Sequence, residues 1–162
     1  AALASELAER TEGFQTVRGA GAGDHATLAF MRALREEALA AFGEDFSERR
    51  ICGDNAFAVD FYFPAEATIV EIALGLQNPA SEFEKDILKS FMAREAGHEV
   101  KRLLFISRAG GARKCNQPGR MAVREWAQNR HKLVGEVTDL PGVPRERRPR
   151  ARPALGHRAP VA

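Results

Sequence analysis

Two short segments decide the fold of this chain: AVDFYF at positions 58–63 and TIVEIAL at positions 68–74. In each segment the side chains alternate between two faces with a period of two residues, which is the period of a β-strand. Only four residues separate the segments, so together they predict a tight β-hairpin. With the turn centred in those four residues, the apolar face pairs Phe57 with Leu74, Val59 with Ile72, and Phe61 with Val70.

The opposite face of the predicted hairpin carries two carboxylates. The same register sets Asp60 directly across from Glu71. Like charges in opposed positions cost roughly 0.2–1 kcal/mol. A divalent cation held by both carboxylates would offset this repulsion. The alternative is a pair of solvated carboxylates on an exposed sheet face.

The neighbouring segments place the hairpin in an α/β domain at residues 24–142. Strands are predicted at about 49–53, 103–106 and 134–140. Asp24 is the predicted N-cap of a helix that ends near Phe42, and Ser81 with Glu84 forms the capping box of a second helix. A third helix begins near Pro118. This order predicts an α/β sandwich with a mixed sheet flanked by helices.

The composition limits the number of domains, the expected partners and the expected cellular location. The chain has 162 residues and 44% hydrophobic content, which suits one domain with flexible ends. No stretch approaches the roughly 18 apolar residues of a membrane span, so no membrane partner is expected. Cys52 and Cys115 show neither disulfide nor zinc spacing, which favours a reducing, cytoplasmic location.

The two ends of the chain differ from the domain. Positions 1–23 form an N-terminal segment with no assigned element. Positions 143–162 hold six Arg and one Glu, a charge of +5, whereas the rest of the chain carries −3. This Pro- and Arg-rich composition predicts a disordered basic tail. Either an electrostatic arm for nucleic acid or a terminus under little selection would have such a composition.

Three segments carry a resemblance to a known family: VDF at 59–61, TIVEIA at 68–73 and LFIS at 104–107. With the predicted element order, they resemble the PD-(D/E)xK nuclease superfamily, whose restriction-endonuclease-like fold has an αβββαβ core. The likeness is greatest to type II restriction enzymes of the Bgl kind. It implies a metal-dependent nuclease that hydrolyses phosphodiester bonds, with DNA as the expected partner. A homodimer stays open.

The resemblance also implies roles for individual residues. Asp60 and Glu71 would be catalytic carboxylates that bind Mg²⁺ or Mn²⁺, and the main-chain carbonyl of Ile72 would be a third ligand. Such a cation lowers the pKa of the attacking water and neutralises charge at the phosphate. This chain departs from the family at Ala73, where relatives have Lys, Gln or Glu. The departure favours an alternative, a non-catalytic relative that binds nucleic acid or a protein.

The second helix is a further source of the missing polar group, because relatives sometimes carry it there. On a helical wheel the predicted buried arc consists of Phe83, Ile87, Leu88, Phe91 and Met92. Lys85 and Lys89 lie just beyond its Met92 edge, from where either could reach the hairpin. Lys85 is the candidate catalytic lysine. The alternative is a pair of solvated lysines.

A basic cluster follows the fourth predicted strand. Its candidate nucleic-acid-binding residues are Arg113, Lys114, Arg120 and Arg124, with Arg130 and Lys132 further along the chain. Such side chains, together with the helix N-terminus near Pro118, suit phosphate contacts. A solvated helix face would have the same composition.

Overall fold

A five-stranded mixed β-sheet forms the centre of the protein. The computed structural model describes residues 1–11, 14, 22–55, 57–74 and 78–142. The helices are α1 (Ala2–Arg10), α2 (Ala22–Phe42), α3 (Pro79–Glu95), α4 (Gly111–Cys115) and α5 (Met121–His131), the last preceded by a 3₁₀ turn (Pro118–Arg120). The strands are β1 (Ser47–Arg49), β2 (Val59–Phe63), β3 (Thr68–Ala73), β4 (Arg102–Ser107) and β5 (Val134–Asp139).

The strands lie in the sheet in the order in which they occur in the chain. Strand β2 pairs antiparallel with both β1 and β3, whereas β3, β4 and β5 run parallel to one another. Helix α3 connects β3 to β4, and α4 with α5 connects β4 to β5. The predicted α/β class, with a mixed sheet flanked by helices, is confirmed.

The predicted hairpin register is confirmed where β2 and β3 pair. Phe61 lies opposite Val70, and Phe63 lies opposite Thr68, so the turn is centred as expected. The apolar face, however, does not extend unchanged to the start of β2. Val59 is buried among residues of the α3 side of the sheet, whereas Phe61 packs on the α2 side. Strict alternation therefore fails at Val59, close to the predicted site.

Two apolar layers cover the sheet. One contains Ile69, Leu103 and Phe105 and packs against α3 and α5. The other contains Val70 and Ile106 and packs against α1 and α2. Parallel strands such as β4 are buried on both faces, which explains the continuous apolar run that predicted it.

Several predicted boundaries were wrong. Helix α2 begins at Ala22, so Asp24 lies inside its first turn and does not precede it. Strand β1 lies two residues earlier than predicted. Helix α3 begins at Pro79 after Asn78, with no side-chain cap, so Ser81 and Glu84 form no capping box. Proline favours the first helical position because its missing amide has no partner there in any case.

The N-terminal segment contains a helix that the sequence analysis did not assign. Helix α1 buries Ala4, Leu7 and Ala8 against α2, and Arg10 pairs with Glu37 at 2.6 Å. The predicted tail at 143–162 lies outside the described residues. In the described part of the chain, none of the helices has the length and apolar character needed to span a membrane.

Candidate functional site

A cleft of about 510 Å³ lies between the β2–β3 hairpin and the N-terminal half of α3. The hairpin contributes Asp60, Glu71, Ile72 and Ala73 to its wall. The helix contributes Glu82, Lys85, Asp86 and Lys89. The carboxylates that the hairpin pattern predicted therefore face a helix across a concave, largely polar space.

The Asp60 carboxylate accepts a hydrogen bond from a main-chain amide of the opposite strand, at the open end of the hairpin. Its Oδ2 accepts a hydrogen bond of 2.7 Å from the amide of Ile72. In a strand the N–H and C=O groups of one residue point to the same side. The carbonyl of Ile72 therefore also faces β2, so the structure turns this carbonyl and the Asp60 carboxylate towards the same gap between the strands.

Lys89 joins the hairpin to α3. Its Nζ lies 2.8 Å from Oε1 of Glu71 and 3.0 Å from Oδ1 of Asp86. The side chains of Glu71 and Asp86 are 5% exposed and that of Lys89 is 10% exposed, so these charges are largely removed from water. Oδ1 of Asp86 is buried, and the Lys89 ammonium at 3.0 Å compensates for its charge.

The site holds more negative than positive charge. Burial, followed by the charges of Asp86 and Asp60, raises the pKa of Glu71 to about 8. Burial also raises the pKa of Asp86 to about 6 and raises that of Asp60, against the opposing effect of Lys89. Burial alone would lower the pKa of Lys89, but Glu71 and Asp86 raise it above its ordinary value. Lys89 contacts Glu71 and Asp86, but one ammonium group does not balance three acids, and the raised pKa of Glu71 reduces the excess.

The structure brings together only part of the predicted site. Asp60, Glu71 and Ile72 meet at the cleft, and Glu71 is too deeply buried to belong to a solvated pair. Lys85 lines the cleft but pairs with Glu82 at its partly exposed mouth. Lys89 is the lysine that reaches Glu71.

Asp86 was not among the predicted site residues because the predicted buried arc of α3 was displaced: Phe83 and Ile87 are buried as expected, but Leu88 is not. The buried residues of this helix include Phe83, Asp86, Ile87 and Ser90, whereas Leu88 is 52% exposed. These four buried positions have the i, i+3, i+4, i+7 spacing of one helix face. That spacing was visible in the sequence, but two of the four residues are polar.

The predicted basic cluster is divided between two places. Arg113 and Lys114 lie on α4, whose position is fixed by the Asp139 carboxylate through the amides of Gly110 and Ala112, both at 2.7 Å. Two of the candidate residues make contacts within the protein: Arg120 with Glu84 of α3 at 3.1 Å, and Arg124 with Asn116 at 2.8 Å.

Arg130 and Lys132 belong to the other end of α5. The carbonyls of His131 and Lys132 there accept hydrogen bonds from Arg94, at the C-terminal end of α3. About ten residues of helix, or roughly 15 Å, separate Arg120 from Arg130. Arg120 is thus associated with the cleft half of α3 through Glu84, whereas Arg130 and Lys132 lie near its C-terminal end.

Comparison with known proteins adds no relative. Neither a protein-family model, nor a curated protein, nor a solved structure matches this chain. Within the described ranges, no three His, Cys, Asp or Glu side chains form a group suited to holding a metal ion. The resemblance to PD-(D/E)xK nucleases, the divalent cation and the homodimer stay predictions.

The charge excess predicts an unusual dependence of stability on pH. Between about pH 4.5 and 8 the unfolded chain loses the Glu71 proton while the native protein keeps it, so the free energy of unfolding falls as pH rises. Glu71→Gln removes this contribution. In metal-free buffer, the melting temperature of Glu71→Gln should fall less than that of the wild type between these pH values. Glu136→Gln, which alters an exposed pair with Arg102, is the control. Equal slopes for Glu71→Gln and the wild type would contradict the charge excess.

Proposed function

We propose that this protein is a metal-dependent phosphodiesterase that cleaves nucleic acid, with DNA as the expected substrate. One observation carries the proposal: Asp60 and Glu71 of the hairpin and Lys89 of α3 converge on one cleft. Two acids and a lysine are the groups that the resemblance to PD-(D/E)xK nucleases requires. The proposal replaces Lys85 by Lys89 as the catalytic lysine.

The donor set of the cleft suits a hard divalent cation. Asp60, Glu71 and the carbonyl of Ile72 offer oxygen atoms, which Mg²⁺ and Mn²⁺ prefer. Mg²⁺ is commonly held by one or two protein carboxylates because it retains several waters. The excess of buried negative charge also favours a cation at this place. When bound, the cation would lower the pKa of a water molecule and neutralise charge at the phosphate.

Lys89 would supply the polar group that the family has on the strand and that Ala73 lacks. Ala73 follows Glu71 by two residues, so its side chain points to the same face of the sheet, towards α3. A methyl group offers neither charge nor hydrogen bond there. The Lys89 ammonium reaches the same face from above, 2.8 Å from Glu71. There it would donate hydrogen bonds to the attacking water or to a phosphate oxygen as negative charge develops.

A second candidate function is supported by the same ion pair. Lys89 satisfies Glu71 without any metal, as it would in a binding module that has lost catalysis. Such a module would still use the basic residues on α4 and the 3₁₀ turn for phosphate contacts. The two candidates differ in whether a divalent cation displaces Lys89 from Glu71, so metal binding separates them.

Asp60→Asn tests the metal site. Mn²⁺ should stabilise the wild-type protein by about 2.7 kcal/mol at a hundred times its dissociation constant. The variant should lose this stabilisation, and hydrolysis of DNA should fall on the order of 100-fold or more. Differential scanning calorimetry and cleavage of a labelled duplex measure the two effects. Asp54→Asn, at an exposed turn residue, is the control. A wild-type protein that binds no Mn²⁺ at millimolar concentration would leave the non-catalytic module as the better proposal.

The two lysines of the cleft provide a second test. Lys89→Met should reduce DNA hydrolysis on the order of 100-fold, because the ammonium beside Glu71 is lost. Lys85→Met keeps that ammonium and changes only the partly exposed mouth, so its effect should be much smaller. Lys101→Met, at a highly exposed residue, controls for the loss of one surface charge. A larger loss in Lys85→Met than in Lys89→Met would return the catalytic role to Lys85.

The divided basic cluster predicts where DNA lies. Replacing both Arg113 and Lys114 by Gln should weaken duplex binding and reduce the slope of log K against log salt by about 1 to 2 units. Replacing both Arg130 and Lys132 by Gln removes the same charge at the other end of α5 and should change the slope little. Fluorescence anisotropy across a salt series compares them. Equal effects of the two replacements would contradict a DNA-binding surface at Arg113 and Lys114.

A further inference from the structure

We propose that Asp86 is a positioning residue that keeps Lys89 in the cleft when a divalent cation takes the carboxylate of Glu71. The inference rests on the proposed function, because it requires a cation at Glu71. It concerns a residue that lies outside the hairpin motif and assigns it a task distinct from metal binding. In the structure Lys89 is shared between Glu71 and Asp86; with a cation on Glu71, Asp86 would hold it alone.

The local structure of α3 suits this task. Asp86 lies three residues before Lys89, so the two side chains lie on the same side of the helix, one turn apart. Both are held on the buried face of α3, where Ser90 also lies. Asp86 contacts Lys89 from the same helix, whereas Glu71 contacts it from the sheet. The contact with Asp86 therefore does not depend on the occupancy of the hairpin.

The two lysines of the cleft show what the second carboxylate changes. A lysine has a flexible four-carbon stem and a strongly hydrated ammonium, so it turns towards water unless a partner holds it. Lys85, which pairs with Glu82, is 42% exposed, whereas Lys89 is 10% exposed. A cation on Glu71 would remove one of the two partners of Lys89. Asp86 would then keep its ammonium in the cleft.

A competing hypothesis is that Asp86 binds the cation directly. The geometry favours the positioning role, because Oδ1 of Asp86 lies 3.0 Å from Nζ of Lys89 and the ammonium stands between Asp86 and Glu71. A ligand would affect metal affinity itself. A positioning residue would affect what Lys89 does after the metal has bound, and this difference can be measured.

Accessibility of the Lys89 amine tests the proposal without any measurement of activity. Full-length wild-type protein and Asp86→Asn are treated with an amine-selective acetylating reagent, with and without Mn²⁺, and acetylation of each lysine is quantified by mass spectrometry. Lys89 should stay protected in the wild type under both conditions and in the variant without Mn²⁺. In the variant with Mn²⁺, its acetylation should rise towards that of Lys85, the more exposed lysine of the cleft. Lys85 and Lys101, both more exposed, report reagent activity in every sample.

The variants and controls separate the possible outcomes. Calorimetry on the same samples records Mn²⁺ binding, and Asp86→Glu, which restores the carboxylate, should restore protection. If both proteins bind Mn²⁺ and Lys89 stays protected in Asp86→Asn, the positioning role is overturned while the metal site stands. Loss of Mn²⁺ binding in Asp86→Asn alone would make Asp86 a ligand and would also overturn it. If the wild type binds no Mn²⁺, the proposed function fails and this inference fails with it.

A double-mutant cycle gives a second readout if DNA hydrolysis is found. Asp86→Asn should lower kcat more than it changes the KM for DNA, because the substrate contacts lie elsewhere. In the Lys89→Met background the same change should have no further effect on kcat, since Asp86 acts through Lys89. An equal loss in both backgrounds would show that Asp86 acts independently and would overturn the proposal.

Discussion

The contact of Lys89 with Glu71 and Asp86 is the interaction on which the candidate site depends. Three carboxylates lie together between the sheet and α3, and burial of such charges is costly unless they are paired. Lys89 compensates for part of this charge and ties the helix to the hairpin. Burial and the neighbouring acids raise the pKa of Glu71 to about 8, which favours its protonation and so reduces the remaining excess of negative charge. Incompletely paired buried charge therefore destabilises the fold at the residues that the resemblance implies to be catalytic, a combination that is common at functional sites.

Strand β2 departs from regular strand geometry beside the same cleft. Where the hairpin ladder would continue, the amide of Ile72 is bonded to the Asp60 side chain. Val59 at that point belongs to the α3 side of the core, out of alternation with Phe61. Asp60 and Ile72 both line the cleft at this point. In a regular ladder the amide of Ile72 would donate to a main-chain carbonyl of β2 and not to a side-chain carboxylate.

The sequence predicted best where one physical pattern governed a segment. Alternation fixed the register of Phe61 with Val70, and a continuous apolar run located β4. Helix α1 escaped notice because nine residues make a marginal helix alone, and packing of Leu7 on α2 stabilises it. The predicted buried arc of α3 was correct at Phe83 and Ile87 but wrong at Leu88, because hydrophobicity was taken as the measure of burial. Asp86 is buried there since Lys89 and the hairpin acids satisfy one another, which a pattern based on polarity alone does not register.

The position of Lys89 bears on Ala73, which stands where the family that the sequence resembles has a polar residue. In that family, the third polar position lies on the strand, where this chain has Ala73. Lys89 comes within 2.8 Å of Glu71 from α3, and Ala73 lines the same cleft. A lysine at position 73 would bring a second ammonium to the same face of the sheet. The small residue in the strand and the buried lysine on the helix are thus two parts of one arrangement.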